Sequence, residues 1–197
     1  NRGSSGGMTN LAYLLESGAV GQADFVSARI WYQRAAALGN ARAMSNLGYL
    51  METGRGGPKD VNEARRLYEN AANRNFAQAM TNLGDLYDDG NGVQKDQNTA
   101  RFWYEKAANL GNTGGITSLA YYYENGLGGL PQNLAEAVKL YERAANQGGA
   151  RAQNNLGVMY ENGSGVEQSF EQARYWYELA ANNGNRFAMN NLGVLLE

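Results

Sequence analysis

The side chains with the most chemistry in this chain of 197 residues crowd into one stretch, "YDDGNGVQKD", residues 87–96. Asp88, Asp89 and Asp96 are oxygen ligands of the kind a hard cation takes, and Gly90 and Gly92 could turn a loop around it. The spacing argues against that chemistry. A calcium loop of the EF-hand type starting at Asp88 needs Gly at its sixth position and Glu at its twelfth, and Val93 and Thr99 stand there. No Lys-Ser/Thr pair follows the glycines, as a phosphate-cradling loop would require. Asp85 with Asp88 or Asp89 would supply two carboxylates for glycoside hydrolysis. These positions lie at a helix end and in a loop, where nothing buries one carboxyl to raise its pKa.

Composition narrows the chemistry further. The chain contains no His and no Cys. That removes imidazole and thiolate metal ligands, thiol nucleophiles, disulfides and the commonest general base near neutral pH. The expectation is a non-catalytic protein with no metal or cofactor. A formal net charge of −2 gives no basic field for nucleic acid. No run of eighteen apolar residues offers a membrane span. A chain without thiols suits a reducing or an oxidising compartment equally, so bacterial cytoplasm and periplasm are both compatible. The opening "NRGSSGG", residues 1–7, reads as a linker or cloning remnant and is left out of the fold.

The acidic stretch finds its meaning in a repeat. One line recurs six times, from "MTNLAYLLESG" at Met8 and "AMSNLGYLMETG" at Ala43 to "AMNNLGVLLE" at Ala188, with units starting near residues 8, 43, 79, 115, 152 and 188. Aligned on the small residue (Ala12, Gly48, Gly84, Ala120, Gly157, Gly193), the spacings are 36, 36, 36, 37 and 36. A second line, such as "ARFWYEKAANLG", recurs five times from Ala28, Ala64, Ala100, Ala137 and Ala173. Both carry apolar residues at i, i+3, i+4, i+7, the period of a helix. Each unit is therefore helix A, a loop, helix B and a turn. Asp24, Asp60, Asp96, Asn133 and Ser169 stand four residues before the first alanine of helix B and are expected N-caps. Glu63, Glu136 and Gln172 add the capping-box pattern. Gly39, Gly111, Gly148 and Gly184 mark where helix B stops. Asp96 is thus a cap, and Gly90 and Gly92 are turn residues of a recurring loop. The one extra residue of the 37-residue unit must fall between Gly126 and Asn133, beside Pro131.

The unit closely resembles the Sel1-like repeat, a relative of the tetratricopeptide repeat. The pattern is nearly complete in Ala79, Asn82, Leu83, Gly84, Tyr87, Gly90, Gly92, Val93, Asp96, Ala100, Trp103, Tyr104, Ala107, Ala108, Gly111 and Asn112. The likeness extends over residues 8–197. It implies an all-α fold, a right-handed α-solenoid of about five and a half repeats that acts as an adaptor or scaffold holding other proteins. Some members staple each unit with a disulfide, which this chain cannot do.

Placing the small residue of helix A at 0° and advancing about 100° per residue puts the preceding leucine and the residues two and three later on the expected core side. The next residue points away from it: Tyr13, Tyr49, Asp85, Tyr121, Val158 and Val194. Thr9, Ser45, Thr81, Thr117, Asn154 and Asn190 are expected beside them on the exposed side. The row Asn10, Asn46, Asn82, Ser118, Asn155 and Asn191 lies at the margin, where it could bond within the scaffold or to a ligand. If helix A lines the inner curve, as the resemblance implies, Tyr13, Tyr49, Asp85, Tyr121, Val158, Asn46, Asn82 and Asn155 form a concave face for a peptide or partner protein. Tyr supplies contact area with few rotors to freeze, and Asn can satisfy an extended backbone. Trp31, Trp103 and Trp176 are expected in the core, and the i, i+4 pairs Arg65–Glu69, Arg101–Glu105 and Arg174–Glu178 on a solvated face. Two other functions compete: a regulatory arm of a larger enzyme or signalling protein, and a carbohydrate-binding module. The sixth unit stops within helix A, so Leu192, Leu195 and Leu196 are expected to lack a helix B and to invite self-association.

Overall fold

A computed structural model describes residues 3–19 and 21–195. Among them are eleven helices and no strand: α1 (Ser5–Ser17), α2 (Phe25–Ala37), α3 (Ala41–Thr53), α4 (Val61–Ala72), α5 (Ala77–Asp89), α6 (Gln97–Asn109), α7 (Thr113–Asn125), α8 (Leu134–Asn146), α9 (Ala150–Asn162), α10 (Phe170–Asn182) and α11 (Arg186–Leu195). Odd-numbered helices are the A helices of the repeat and even-numbered ones the B helices. α1 begins at Ser5, inside the stretch set aside as a linker, because Ser4 Oγ accepts from the amide of Gly7 and caps it. The chain forms two compact units, one ending at Lys95 and one beginning at Asp96. In the first, α1 packs on α2, α2 on α3, α3 on α4 and α4 on α5; in the second the same succession runs from α6 to α11.

The helix ends follow the sequence closely. Asp24, Asp60, Asn133 and Ser169 each accept a hydrogen bond from an amide of the first turn of their helix B. Asp96 accepts from the amides of Asn98 and Thr99, and from the Thr99 hydroxyl at 2.6 Å. These bonds hold the carboxyls of Asp24 and Asp96 below the ordinary carboxylate range, with Ser27 and Thr99 the leading causes. At Glu63 and Glu136 the amide half of the capping box forms, but the carboxylates pair with Arg66 at 2.6 Å and Lys139 at 3.4 Å. Gly39, Gly111, Gly148 and Gly184 follow helix B with φ near +80°; Asn75 takes the same place after α4 at φ 58°, a conformation Asn tolerates better than most residues.

The loop from helix A to helix B carries a second glycine that rests on the preceding repeat. Gly92 lies where a Cβ would come within 2.6 Å of the Val61 side chain. At Gly128 the obstacle would be the Gln97 carbonyl at 2.7 Å, and at Gly165 the Leu134 carbonyl at 2.7 Å. All three have positive φ. Arg29 donates to the Pro58 carbonyl at 3.1 Å and Arg101 to the Gly128 carbonyl at 2.7 Å, so the same loops are also pinned by side chains. The extra residue of the longest unit falls after this contact, where Leu130 and Pro131 run up to the cap Asn133.

Burial corrects the expected core arc. The small residue of helix A is its centre rather than its edge. At Gly48 a Cβ would meet the Tyr68 ring at 2.7 Å, and at Gly157 the Tyr177 ring at 2.6 Å, so helix B of the same repeat lies directly over this position. Thr9, Ser45, Thr81, Thr117 and Asn154 are likewise buried and not on the exposed side. The hydroxyls of Thr9 and Thr117 are satisfied by donating to carbonyls four residues back, each at 2.7 Å. The leucines face helix B of the preceding repeat instead. α1 packs against α2, and its Leu11 and Leu14 are 37% and 39% exposed. In α3, which packs on both α2 and α4, the corresponding Leu47 and Leu50 are 3% and 0% exposed.

α11 shows the complement. Leu192 and Leu195 pack partly against the cluster of Ala173, Tyr177, Ala180 and Ala188 built with α10, so they are not the open edge expected of them; Leu196 lies outside the described residues. The side turned away from α10 carries the exposed Met189 and Asn190, and no atom lies within 4 Å of a Cβ placed at Gly193.

This geometry gives opposite outcomes for one substitution at equivalent positions. Gly48→Ala gains helix propensity but pushes into the Tyr68 ring, and is expected to destabilise by about 1 kcal/mol net. Gly193→Ala meets nothing and is expected to stabilise by about 0.5 kcal/mol. Urea midpoints of the two variants, compared with the parent, check the signs.

Candidate functional site

Two rows of helix A decide what its free face can do. The first is the asparagine row. In the first unit Asn46 Nδ2 donates to the Tyr32 hydroxyl at 3.0 Å, and that hydroxyl donates to Glu16 Oε2 at 2.8 Å. Each of these residues lies on a different helix: α3, α2 and α1. The motif repeats as Tyr68 to Glu52 at 2.8 Å, with Asn82 also bonded to Tyr68. In the second unit Asn155 donates to Tyr141 at 3.1 Å and Tyr141 to Glu124 at 2.7 Å. Tyr177 donates to Glu161 at 2.5 Å and is bonded to Asn191. Between the two scaffold and ligand roles open to this row, the amides of Asn46, Asn82 and Asn155 are engaged in the scaffold.

The tyrosine of this clamp is the buried aromatic of helix B. Tyr32, Tyr68, Tyr141 and Tyr177 are fully buried rings. Burial pushes all four hydroxyls above the ordinary tyrosine range, and the neighbouring glutamates push in the same direction. The tryptophans beside them are only half-buried, contrary to expectation. The seat over the small residue of helix A admits one flat ring, and the tyrosine fills it. The larger indole, about 100° further round the helix, is left at the rim. There Trp31 lies under Arg34 at 4.8 Å, Trp103 meets Phe102 edge-on at 5.1 Å, and Trp176 meets Tyr175 at 5.0 Å. The pairs Arg65–Glu69, Arg101–Glu105 and Arg174–Glu178 span 3.8, 3.4 and 3.6 Å on the partly exposed helix B surface, as the spacing predicts.

The second row follows the small residue of helix A. Tyr13, Tyr49 and Tyr121 are 51%, 41% and 44% exposed, Asp85 is exposed and Val158 is half-buried. In the first unit the structure brings Tyr13 and Tyr49 together with two arginines that the sequence did not single out. Arg42 lies over the Tyr13 ring at 5.7 Å, and Arg55 over Tyr49 at 5.6 Å and Phe25 at 5.3 Å. Arg42 stands seven residues before Tyr49, two turns back on one helix face, and that spacing was the available signal. The second unit places Tyr121 on α7 and Val158 on α9. Among the described residues no three acidic side chains gather as a metal would need, and no helix is long and apolar enough to cross a membrane.

Comparison with known proteins agrees with this architecture. The family model described as Sel1 repeat matches residues 5–40, 41–76, 77–112, 115–149 and 150–185. Among solved structures, a Sel1 repeat protein from Oxalobacter formigenes is 32% identical with a TM-score of 0.85, over 98% of this chain and 77% of that one. A protective antigen of uropathogenic Escherichia coli strains, displaying an SLR fold, is 34% identical with a TM-score of 0.77; the match covers 98% of this chain but 41% of the antigen. An immunity protein from Pseudomonas aeruginosa is 25% identical with a TM-score of 0.70, over 93% of this chain and 67% of that one. The curated proteins contain no sequence match.

The clamp carries a measurable signature. The folded state holds the tyrosine protons more tightly than the unfolded chain does. The clamp's contribution is therefore complete below about pH 10, the unfolded tyrosine pKa, and is lost as pH rises above it. Tyr68→Phe is expected to cost about 1–3 kcal/mol at neutral pH, because Glu52 and Asn82 lose a buried partner. Its stability should also fall less steeply than the parent's in alkali. Urea unfolding of both proteins at neutral and alkaline pH checks both points.

Proposed function

The chain belongs to the Sel1 repeat family, an all-α solenoid commonly used as a protein-interaction scaffold, and on that premise we propose that it is a non-catalytic adaptor that grips a peptide or partner protein on the free face of its A helices. In the first unit the contact residues are Tyr13, Tyr49 and Asp85, with Asn46 and Asn82 at the margin. In the second they are Tyr121 and Val158, with Asn155 at the margin. The observation that carries the reading is the exposure of Tyr13, Tyr49 and Tyr121 in a scaffold whose helix B tyrosines Tyr32, Tyr68, Tyr104, Tyr141 and Tyr177 are buried. Their row also varies among the repeats. It holds Tyr, Asp and Val at equivalent places, as a surface tuned to a ligand would, whereas the clamp residues recur because packing requires them. Aromatic side chains with few rotors are efficient contact groups, and a few such anchors dominate most interfaces.

Tyr49→Ala combined with Tyr121→Ala is expected to weaken capture of the native partner from lysate, by about 2 kcal/mol or more if both are anchors. Helix content and melting temperature should stay near the parent's. Arg65→Ala with Arg101→Ala, on the B helices, should leave capture unchanged. Pull-down with quantitative mass spectrometry reads the comparison. Normal capture by the tyrosine variant together with failed capture by the arginine variant would place the partner on the opposite surface.

A further inference from the structure

Resting on that reading, we infer that the first unit's free face recognises an acidic, extended peptide segment, through two guanidinium groups that lie over exposed tyrosines. Arg42 and Arg55 are both exposed. Their closest partners are rings: Tyr13 for Arg42, and Tyr49 with Phe25 for Arg55. The other arginines of this unit are used differently. Arg29 and Arg74 donate to backbone carbonyls, Arg65 and Arg66 pair with glutamates, and Arg34 covers a tryptophan on helix B. Among the described residues neither Arg42 nor Arg55 has a carboxylate within ion-pair distance. A guanidinium stacked on a ring keeps its in-plane N–H fork free, and that fork matches a carboxylate with two parallel hydrogen bonds. The ring beneath holds the fork in place before the ligand arrives.

The carboxylates that could neutralise this pair are engaged elsewhere. Glu16 accepts from Tyr32, and Glu52 accepts from Tyr68 and from Asn91 at 3.1 Å. The exposed acid of the same row, Asp85, lies on α5, beyond the α1–α3 pair. Arg42 and Arg55 sit near opposite ends of α3. At 1.5 Å per helical residue they are separated by roughly 20 Å along the axis, the reach of about six extended residues. The tyrosines between them supply the apolar floor. The fitting occupant is a strand-like segment with carboxylates at both ends of such a span.

The test titrates the full chain with fluorescein-labelled hexaglutamate and, separately, hexalysine, read by fluorescence anisotropy. Saturable hexaglutamate binding is expected, weakening as salt is raised and falling by about tenfold in Arg42→Gln with Arg55→Gln. Arg65→Gln with Arg66→Gln should bind as the parent does. Arg42, Arg55 and Arg66 are exposed and Arg65 is half-buried, and unchanged helix content and melting temperature confirm the fold of each variant; Arg55→Gln alone serves if the double variant is altered. Absent saturable binding, equal binding of hexalysine, or undiminished binding by the Arg42/Arg55 variant overturns the inference. If native-partner capture then still depends on Tyr49 and Tyr121, the partner surface stands and only its acidic specificity is wrong. If capture ignores those tyrosines, the surface itself is wrong.

Discussion

A tyrosine hydroxyl held between a glutamate and an asparagine, at Tyr32, Tyr68, Tyr141 and Tyr177, sets the geometry of four of the repeats. The ring of Tyr68 lies over Gly48, close enough that an alanine methyl would collide with it. Its hydroxyl reaches Glu52 on the same helix A and Asn82 on the next. Three helices are tied at one buried polar atom, so the small residue, the acid and the amide are consequences of one constraint. Glycine inside a helix costs about 1 kcal/mol; at Gly48 and Gly157 that cost accompanies a close ring-to-backbone approach. The same set recurs at Gly157, Tyr177, Glu161 and Asn191. Where Ala12 replaces the glycine, Tyr32 still reaches Glu16 and Asn46.

That constraint explains why the helices and their ends were legible in the sequence. Caps such as Asp60 and Ser169 act within one turn, and local geometry dictates them. The 36-residue period fixed where each helix begins. The direction of the core was harder to read. A helical wheel treats helix A as having one neighbour, and its leucines mark that side. Helix A has two neighbours, and the one it approaches most closely meets a glycine, which carries no apolar signal. Thr9 and Thr117 fall outside the arc that the leucines mark, but each satisfies its hydroxyl on its own helix and is buried. The tryptophans misled for the opposite reason: size suggested the core, whereas the space between helices fits a tyrosine.

The free face of helix A is what remains after two neighbours have taken their share. Tyr13, Tyr49 and Tyr121 are legible there because the row varies while the leucine two residues earlier recurs in every repeat. Arg42 and Arg55 were not singled out, because an arginine near a helix end or in a loop reads as solvated. In the folded protein each lies over an aromatic ring rather than beside an acid.

The loop glycines bear on how such an array can change its length. Gly92, Gly128 and Gly165 each sit against the start of the preceding helix B, so the first half of these A–B loops serves as a spacer between successive repeats. Lengthening that half would wedge neighbours apart. The half after the contact bears no such load, and the only unit with an added residue, at Leu130–Pro131, spends it there. Grafted epitopes, reporter peptides or new recognition loops therefore have one permissive port per repeat, between the second glycine and the helix B cap. The five helix B caps that end these ports stand 36, 36, 37 and 36 residues apart, so inserted sequences would be displayed once in every repeat.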